Sequence, residues 1–391
     1  VQDQPGMPPE LSALPQGAAA LLIETRSAEQ AGLDANIGRI REALEPVSRL
    51  GEIRFTAVPE EFERLWKIRK GMFPSVGAVR AAGTTVIIED IAFPLDRLAE
   101  GTVDLQRLFA VHGYDDAIIF GHALEGNLHF VITPDLGDAA EVRRYRGFMD
   151  ELCHLVVDKY DGSLKAEHST GRNIAPYVEL EWGSEAYRLM HRIKALLDPE
   201  GLLNPGVVLN EDPEIHVKNF KSMARVDPLV DRCIECGFCE PVCPSRELTL
   251  TPRQRVVVLR ELARLNSAGH GLTESRLLKD FDYAGEQTCA ADGLCATRCP
   301  VGIDTGQMMK SLRSRKRGAM GKRLAHWLDG HIAGITAATR LGLRVTHATS
   351  RAVGEVPLER LTRGIRRVSG GRLPDWHRWM PRAAGAYSAL P

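Results

Sequence analysis

Two apolar periodicities run through the first two hundred residues. Residues 19–25 (AALLIET) form a short apolar run that predicts a strand. Residues 27–45 place Ala31, Ile37, Ile40 and Leu44 at helical spacing. A strand is expected at 52–58 and a helix at 59–72, opened by Pro59-Glu60-Glu61, a good first-turn composition. The pattern continues with a strand at 84–93, a helix at 95–112 and paired strands at 116–121 and 127–133. A helix at 138–160, a strand at 163–168 and a helix at 183–197 complete it. Short connections between mixed elements predict an α+β layer, with helices on a mostly antiparallel sheet.

The stretch 198–214, rich in Pro, Gly and Asn, closes that region. Strand signals then stop. Residues 252–265 and 273–281 read as helices around a set of cysteines, and beyond about 306 the chain is basic and helical in pattern. This divides the chain into 1–215, an all-α region 216–315, and a basic tail 316–391. The cysteine clusters are the one internal repeat.

The 391 residues, 44% hydrophobic, leave room for more than one core. No apolar run reaches the roughly 18 residues of a membrane-spanning helix. The opening VQDQPGMPPELSALPQG lacks the basic and apolar regions of a signal peptide, which predicts a cytoplasmic protein. The start at Val1 suggests a piece of a longer polypeptide. The net charge of −1 hides an asymmetry: Lys310–Arg382 carries 17 Lys+Arg against four Asp+Glu, a net of +13, and the rest carries −14. Such a tail is a solvated helical face or meets an anionic partner. It lacks regular aromatic interleaving for base stacking, so nucleic acid is not expected. Peripheral contact with the inner membrane is the remaining functional reading.

Eight cysteines without a secretory signal point to metal or redox use rather than a disulfide framework. Cys233-x2-Cys236-x2-Cys239-x3-Cys243-Pro244 has the bacterial two-cluster iron–sulfur spacing. Three thiolates two residues apart wrap one cubane, and the fourth serves the other cluster. The second motif, Cys289-x5-Cys295-x3-Cys299-Pro300, has Asp292 where a matching cysteine would stand. Cross-ligation gives Cys233, Cys236, Cys239 and Cys299 to a complete [4Fe-4S] cluster. Cys243, Cys289 and Cys295 serve the other, which is either a [3Fe-4S] cluster lacking a corner iron or a [4Fe-4S] cluster with the Asp292 carboxylate on that corner. The lone Cys153 reads as a buried apolar residue.

The first region holds a different chemistry. In FGHALEGNLHF, His122 and His129 end two strands joined by a Glu125-Gly126-Asn127 turn, and AEHSTGR supplies Glu167 and His168. Two histidines and a carboxylate can form an open divalent-metal site, or be scattered structural residues.

FGHALEGNLHF and EHSTGRNIAPYVELEWG resemble the C-terminal half of FAD-linked 2-hydroxy-acid dehydrogenases, the D-lactate and D-2-hydroxyglutarate dehydrogenase group. DPEGLLNPGVVLN resembles the closing segment of that family. RCIECGFCEPVCPSRELTLTPRQR and TCAADGLCATRCPVGIDTG resemble the subgroup with an iron–sulfur domain on the same polypeptide. The resemblance runs from about residue 17 to 315. It implies an FAD-linked oxidase C-terminal (cap) domain followed by a helical ferredoxin domain.

By that resemblance His122, His129 and Glu167 bind a zinc- or manganese-like ion, and His168 is the general base. Arg69 clamps the substrate carboxylate, Asn127 hydrogen-bonds substrate, and Asn204 sits near the flavin. The implied reaction is oxidation of a D-2-hydroxy acid to the 2-oxo acid. Electrons pass through the clusters to a quinone, cytochrome or other carrier. The FAD-binding domain is not recognisable in this chain, so an FAD-binding domain on another chain is an implied partner. The alternative is a non-catalytic electron-transfer subunit. The sequence departs from the family where a substrate-binding Lys is usual: Ile88 and Glu89 precede Asp90, and Arg80 is the candidate substitute. Ser169 stands where Gly is more usual.

Overall fold

The computed structural model describes residues 9–15 and 17–383. The described residues up to Lys310 form one compact unit and those from Ser311 a second.

The first unit is built around a three-stranded antiparallel sheet, β1 (Ile87–Ala92), β2 (Ile118–His122) and β3 (Asn127–Ile132), in the order β1-β3-β2. The central β3 is buried at all six positions, which is why NLHFVI is nearly continuous in apolar content. Alternation sorts its side chains. Leu128, Phe130 and Ile132 enter the core beside Ile87 and Ile91 of β1. Phe130 meets Phe109 and Phe148 at centroid distances of 5.4 and 5.7 Å, which ties the sheet to the helices Leu98–Val111 and Ala139–His154. Asn127 and His129 lie on the other face, level with Ala92 and Asp90 of β1 and with His122 and Phe120 of β2. Two devices hold the β2–β3 hairpin close. Gly126 adopts φ 66° with its Cα against the Phe93 carbonyl, and a Cβ on Gly121 would lie 2.1 Å from the Asn127 carbonyl oxygen. Cys153 is fully buried in the core, and burial raises its thiol pKa well above the ordinary value.

The strands expected at 19–25 and 52–58 do not form. A strand needs a hydrogen-bonded neighbour, and among the described residues none pairs with these segments. Leu21, Leu22 and Ile23 are exposed. The 24–26 segment is held instead by side chains: Trp66 donates to Glu24 at 2.8 Å and Asn36 to Thr25 at 3.1 Å. The strand expected at 163–168 shrinks to a single bridge between Ser163 and Ala92, because the following amides turn onto the Asp90 carboxylate. The helix expected at 138–160 is α-helical over Ala139–His154 and ends in a π turn, Leu155–Lys159. The helix expected at 183–197 begins earlier, as Val178–Leu197, with a kink at Gly183 (φ 76°).

After residue 200 no further strand is found among the described residues. The cysteine region is organised by the helices Pro252–Ser267 and Gly271–Phe281. The first opens with a capping box, Thr251 accepting from the Gln254 amide while the Gln254 side chain accepts from the Thr251 amide. In the second unit the helices are Ala319–Gly330, Ile332–Val353 and Glu355–Val368. No helix among the described residues is long and apolar enough to cross a membrane.

Candidate functional site

The hairpin delivers its two histidines to one sheet face, as strand parity requires. His129 is 4% exposed in its side chain, whereas His122 at the strand end is 52% exposed. Glu167 reaches them from the loop after Ser163: its Oε1 is 2.6 Å from His129 Nε2 and 3.5 Å from His122 Nε2. One ligand atom from each of the three lies within 4.8 Å of the others. His168 Nε2 is 3.9 Å from the same oxygen, and its ring stacks on His129 at 5.0 Å.

Asp90 is the residue that sequence reading undervalued. It is fully buried, and its Oδ2 accepts the backbone N–H groups of Ala166, Glu167 and His168 at 3.0, 2.8 and 2.8 Å. One carboxylate therefore fixes the loop that carries both Glu167 and His168. Burial acts to raise its pKa, but the amides of His168 and Glu167 and the Asn127 side chain outweigh it, leaving the carboxyl below its ordinary range. Oδ1 faces His129 Nδ1 at 3.5 Å. Burial pushes the His129 pKa down, against the opposing charges of Asp90 and Glu167. A neutral imidazole with a carboxylate behind Nδ1 and Nε2 facing outward has the donor chemistry of a metal ligand. His129 Nδ1 and Asn127 Oδ1 are buried without a hydrogen-bond partner. The set fits a divalent ion, with exposed His122 and Glu167 on the open side. The signal for Asp90 was available: two carboxylates inside the apolar run of TTVIIEDIAF.

Arg69 is half-buried at the edge of this cluster. Its Nη2 donates to the Gly121 carbonyl at 3.1 Å, and its guanidinium carbon is 4.9 Å from the Phe120 ring centre. Burial lowers its pKa while the Glu167 charge opposes that. Asn127 is buried, and its amide nitrogen donates to Asp90 and to the Ile91 carbonyl. Asn204 is not part of this cluster. It is exposed in the loop after Val178–Leu197, in the left-handed region at φ 47°.

Arg80 does not take the place of the missing Lys. It is 7% exposed and donates to the carbonyls of Arg232 and Cys233 at 3.2 and 3.1 Å, away from the histidines. Glu89 points to the core face and pairs there with Lys165, and Asn173 donates to it at 2.7 Å.

The cysteines fall into two groups. Burial raises the Cys233 pKa and pushes the Cys239 thiol up to about 12, and the Cys299 charge adds to both shifts. Cys236 is exposed on the same loop. Buried thiols with such raised pKa values are poor nucleophiles as free groups. Arg260 joins Arg80 on the Cys233 carbonyl, at 3.0 Å, and pairs with Glu235 at 2.5 Å. Cys243, Cys289, Asp292 and Cys295 line one small cavity with Arg255 and Thr305. Asp292 sits between Ala291 and Gly293, both left-handed (φ 54° and 79°), and its Oδ1 accepts from the Leu294 amide at 3.1 Å. All eight cysteines are free of disulfides, and thiols are the soft donors that iron–sulfur ligation uses.

Similarity to known proteins covers both regions of the chain. Residues 1–208 match the family model described as FAD linked oxidases, C-terminal domain, and residues 229–303 match a 4Fe-4S dicluster domain. A D-2-hydroxyglutarate dehydrogenase of Pantoea ananatis is 27% identical over 328 residues, covering 70% of this chain and 31% of that protein. The glycolate oxidase subunit GlcD of Bacillus subtilis is 28% identical over 200 residues, 51% of this chain and 41% of that protein. The mitochondrial D-lactate dehydrogenase [cytochrome] of Arabidopsis thaliana is 31% identical over 164 residues, 40% of this chain and 27% of that protein. The chain thus spans well under half the length of these relatives. With more than half of its residues in the match, the chain belongs to the FAD-linked oxidase C-terminal domain family, and it carries a 4Fe-4S dicluster domain after that domain.

Proposed function

We propose that this chain supplies the substrate site and the electron outlet of an FAD-dependent dehydrogenase for D-2-hydroxy acids. The observation that carries the reading is the convergence of His122, His129, Glu167 and His168 on one sheet face, in a chain that also holds two cysteine groups. The relatives' names share a substrate class, 2-hydroxy acids, and D-lactate or D-2-hydroxyglutarate is the proposed substrate.

His122, His129 and Glu167 would hold a zinc- or manganese-like ion, whose chemistry is to bind the substrate's oxygens and acidify its 2-hydroxyl. His168, fixed through its backbone by Asp90, takes the hydroxyl proton at Nε2. Arg69 closes on the carboxylate from the Phe120 side, where a guanidinium fork matches its two oxygens. Asn127 holds Asp90 with its amide nitrogen, and its buried Oδ1, without a partner of its own, is the acceptor we assign to substrate. FAD, when bound, supplies the hydride acceptor, with Asn204 on its side of the substrate and an FAD-binding domain completing the enzyme. Cys233, Cys236, Cys239 and Cys299 would hold a [4Fe-4S] cluster. Cys243, Cys289 and Cys295, with Asp292 at the fourth corner, would hold a second cluster of three or four irons. The chemistry such clusters would supply is one-electron transfer, with a quinone, cytochrome or other carrier as the acceptor.

The proposed division is 1–215 cap domain, 216–315 ferredoxin domain and 316–391 tail. For the tail we assign peripheral contact with an anionic membrane surface at the cytoplasmic side. The helix Glu355–Val368 exposes Leu361, Ile365 and Val368 beside Arg360, Arg363 and Arg367. Salt-sensitive binding to anionic vesicles tests this part.

The central test is metal content. The purified chain should retain a non-iron divalent ion that H122A loses, and the ion-loaded chain should bind D-lactate or D-2-hydroxyglutarate. Well-folded protein that takes up no such ion would overturn the catalytic reading and favour an electron-transfer subunit.

A further inference from the structure

The cavity lined by Cys243, Cys289, Asp292 and Cys295 contains one cation that the ligand assignment does not use. Arg255, on the first turn of Pro252–Ser267, is 1% exposed, among the most deeply buried large side chains of the protein. Its guanidinium is held on three sides. Nε donates to the Gly285 carbonyl at 2.6 Å, Nη2 to Ser245 Oγ at 3.2 Å, and Nη1 to the sulfur of Cys243 at 3.7 Å. Ser245 is itself fixed by donating to the Thr288 carbonyl at 2.6 Å, one residue before Cys289. A capping box sets the helix start and a π turn supplies Gly285, so the fork is aimed by the backbone on both sides.

Burying a guanidinium is costly unless an anionic partner and hydrogen bonds compensate it. Here one of its N–H groups is spent on a thiol. The first cysteine group differs. Its buried arginines, Arg80 and Arg260, reach Cys233 through the carbonyl oxygen, and Arg260 is paired with Glu235.

We propose that Arg255 raises the reduction potential of the cluster at the three-thiolate group, by an N–H to sulfur contact on Cys243 and a fixed buried charge. Hydrogen bonds to ligand sulfurs, net charge and solvent exposure are the protein's means of setting such potentials. Reduction adds one electron, donated by the flavin in the enzyme or by dithionite in a titration. No bond to Arg255 forms or breaks, and Arg255 remains protonated throughout. The more negative, reduced state gains more from the nearby cation than the oxidised state, so the potential rises. Arg255 is thus a positioning residue for the electron path. The inference rests on the proposal that this group holds a cluster.

The test is an anaerobic redox titration, followed by electron paramagnetic resonance, of the full chain reconstituted with iron and sulfide. Iron content of the wild type comes first: iron for one cluster only would refute the cluster reading itself. With both clusters present, R255Q and R255M should lower the potential of the second cluster. The expected change is at least tenfold in the reduction equilibrium, about 59 mV for a one-electron couple. The first cluster should stay unmoved. R255K, which keeps the charge but loses the planar fork, should fall between. An unchanged potential in loaded R255Q would overturn the proposal. So would loss of the second cluster from both R255Q and R255K with the first retained, which would make Arg255 a purely structural support.

Discussion

Asp90 and His129 face one another across β1 and β3, with Asp90 Oδ1 3.5 Å from His129 Nδ1. The other oxygen of the same carboxylate gathers three consecutive amides. D90N keeps the shape but loses the charge, and with its carbonyl on those amides its NH2 meets the Asn127 amide nitrogen, another donor. It should cost about 3 kcal/mol, in the range for breaking hydrogen bonds to a buried charge. Urea unfolding reads the loss. Because the same residue sits behind His129, the affinity of the proposed metal site should also fall about 10- to 100-fold.

His122 offers the complementary case. Its side chain is 52% exposed, so H122A should leave stability within about 0.5 kcal/mol of wild type. Zinc or manganese binding, followed by calorimetry, should fall at least tenfold. A variant that binds the ion as tightly as wild type would remove His122 from the site.

The hairpin's close approach predicts a steric effect. Gly121→Ala puts a methyl group 2.1 Å from the Asn127 carbonyl oxygen, which must move. Backbone gives less readily than a side chain, so a loss of about 1–3 kcal/mol is expected in chemical denaturation.

Acid should act through His216. It is 3% exposed, its Nε2 lies 3.3 Å from the Tyr177 hydroxyl, and burial holds its pKa below the ordinary 6.5. The unfolded chain therefore takes up the proton first as pH falls. The stability from the neutral buried ring is present above about 6.5 and is lost between there and the lower folded value. His216→Phe should show a smaller drop in urea midpoint than wild type between pH 7.5 and 5.5. An equal drop would assign the acid sensitivity elsewhere.

Asp292→Cys would complete a four-thiolate group. Iron content should match two four-iron clusters, and the oxidised variant should give no three-iron resonance. A three-iron signal in D292C would refute the placing of residue 292 at the cluster corner.

The sequence was most legible where burial is two-sided or the pattern long. The strand expected at 127–133 is Asn127–Ile132, and the helix expected at 95–112 is Leu98–Val111 after a short 3-10 turn. It was least legible where pairing depends on a neighbour. AALLIET has strand composition, but composition cannot supply a partner strand. The 163–168 segment failed for a related reason, since a side-chain carboxylate competes with the ladder for its amides. The spacing of His122, His129 and Glu167 hinted at a cluster, but Asp90 and Arg255 act through contacts that only the fold brings about. Arg80 illustrates the converse: a cation in a plausible place along the chain, spent on backbone carbonyls 151 to 153 residues away.

That use of Arg80 has a consequence for speed. Its guanidinium and the Gly77–Ile234 contact, where a Cβ would collide with Ile234 at 2.2 Å, stitch the segment before β1 to the loop of the first cysteine group. Electron tunnelling decays exponentially with separation, so a donor and an acceptor on independently moving parts would have a fluctuating rate. With Arg225, which donates to the Ala82 carbonyl at 2.9 Å, this seam would fix the gap in the proposed enzyme, and with it the pace at which reducing equivalents leave the proposed substrate site.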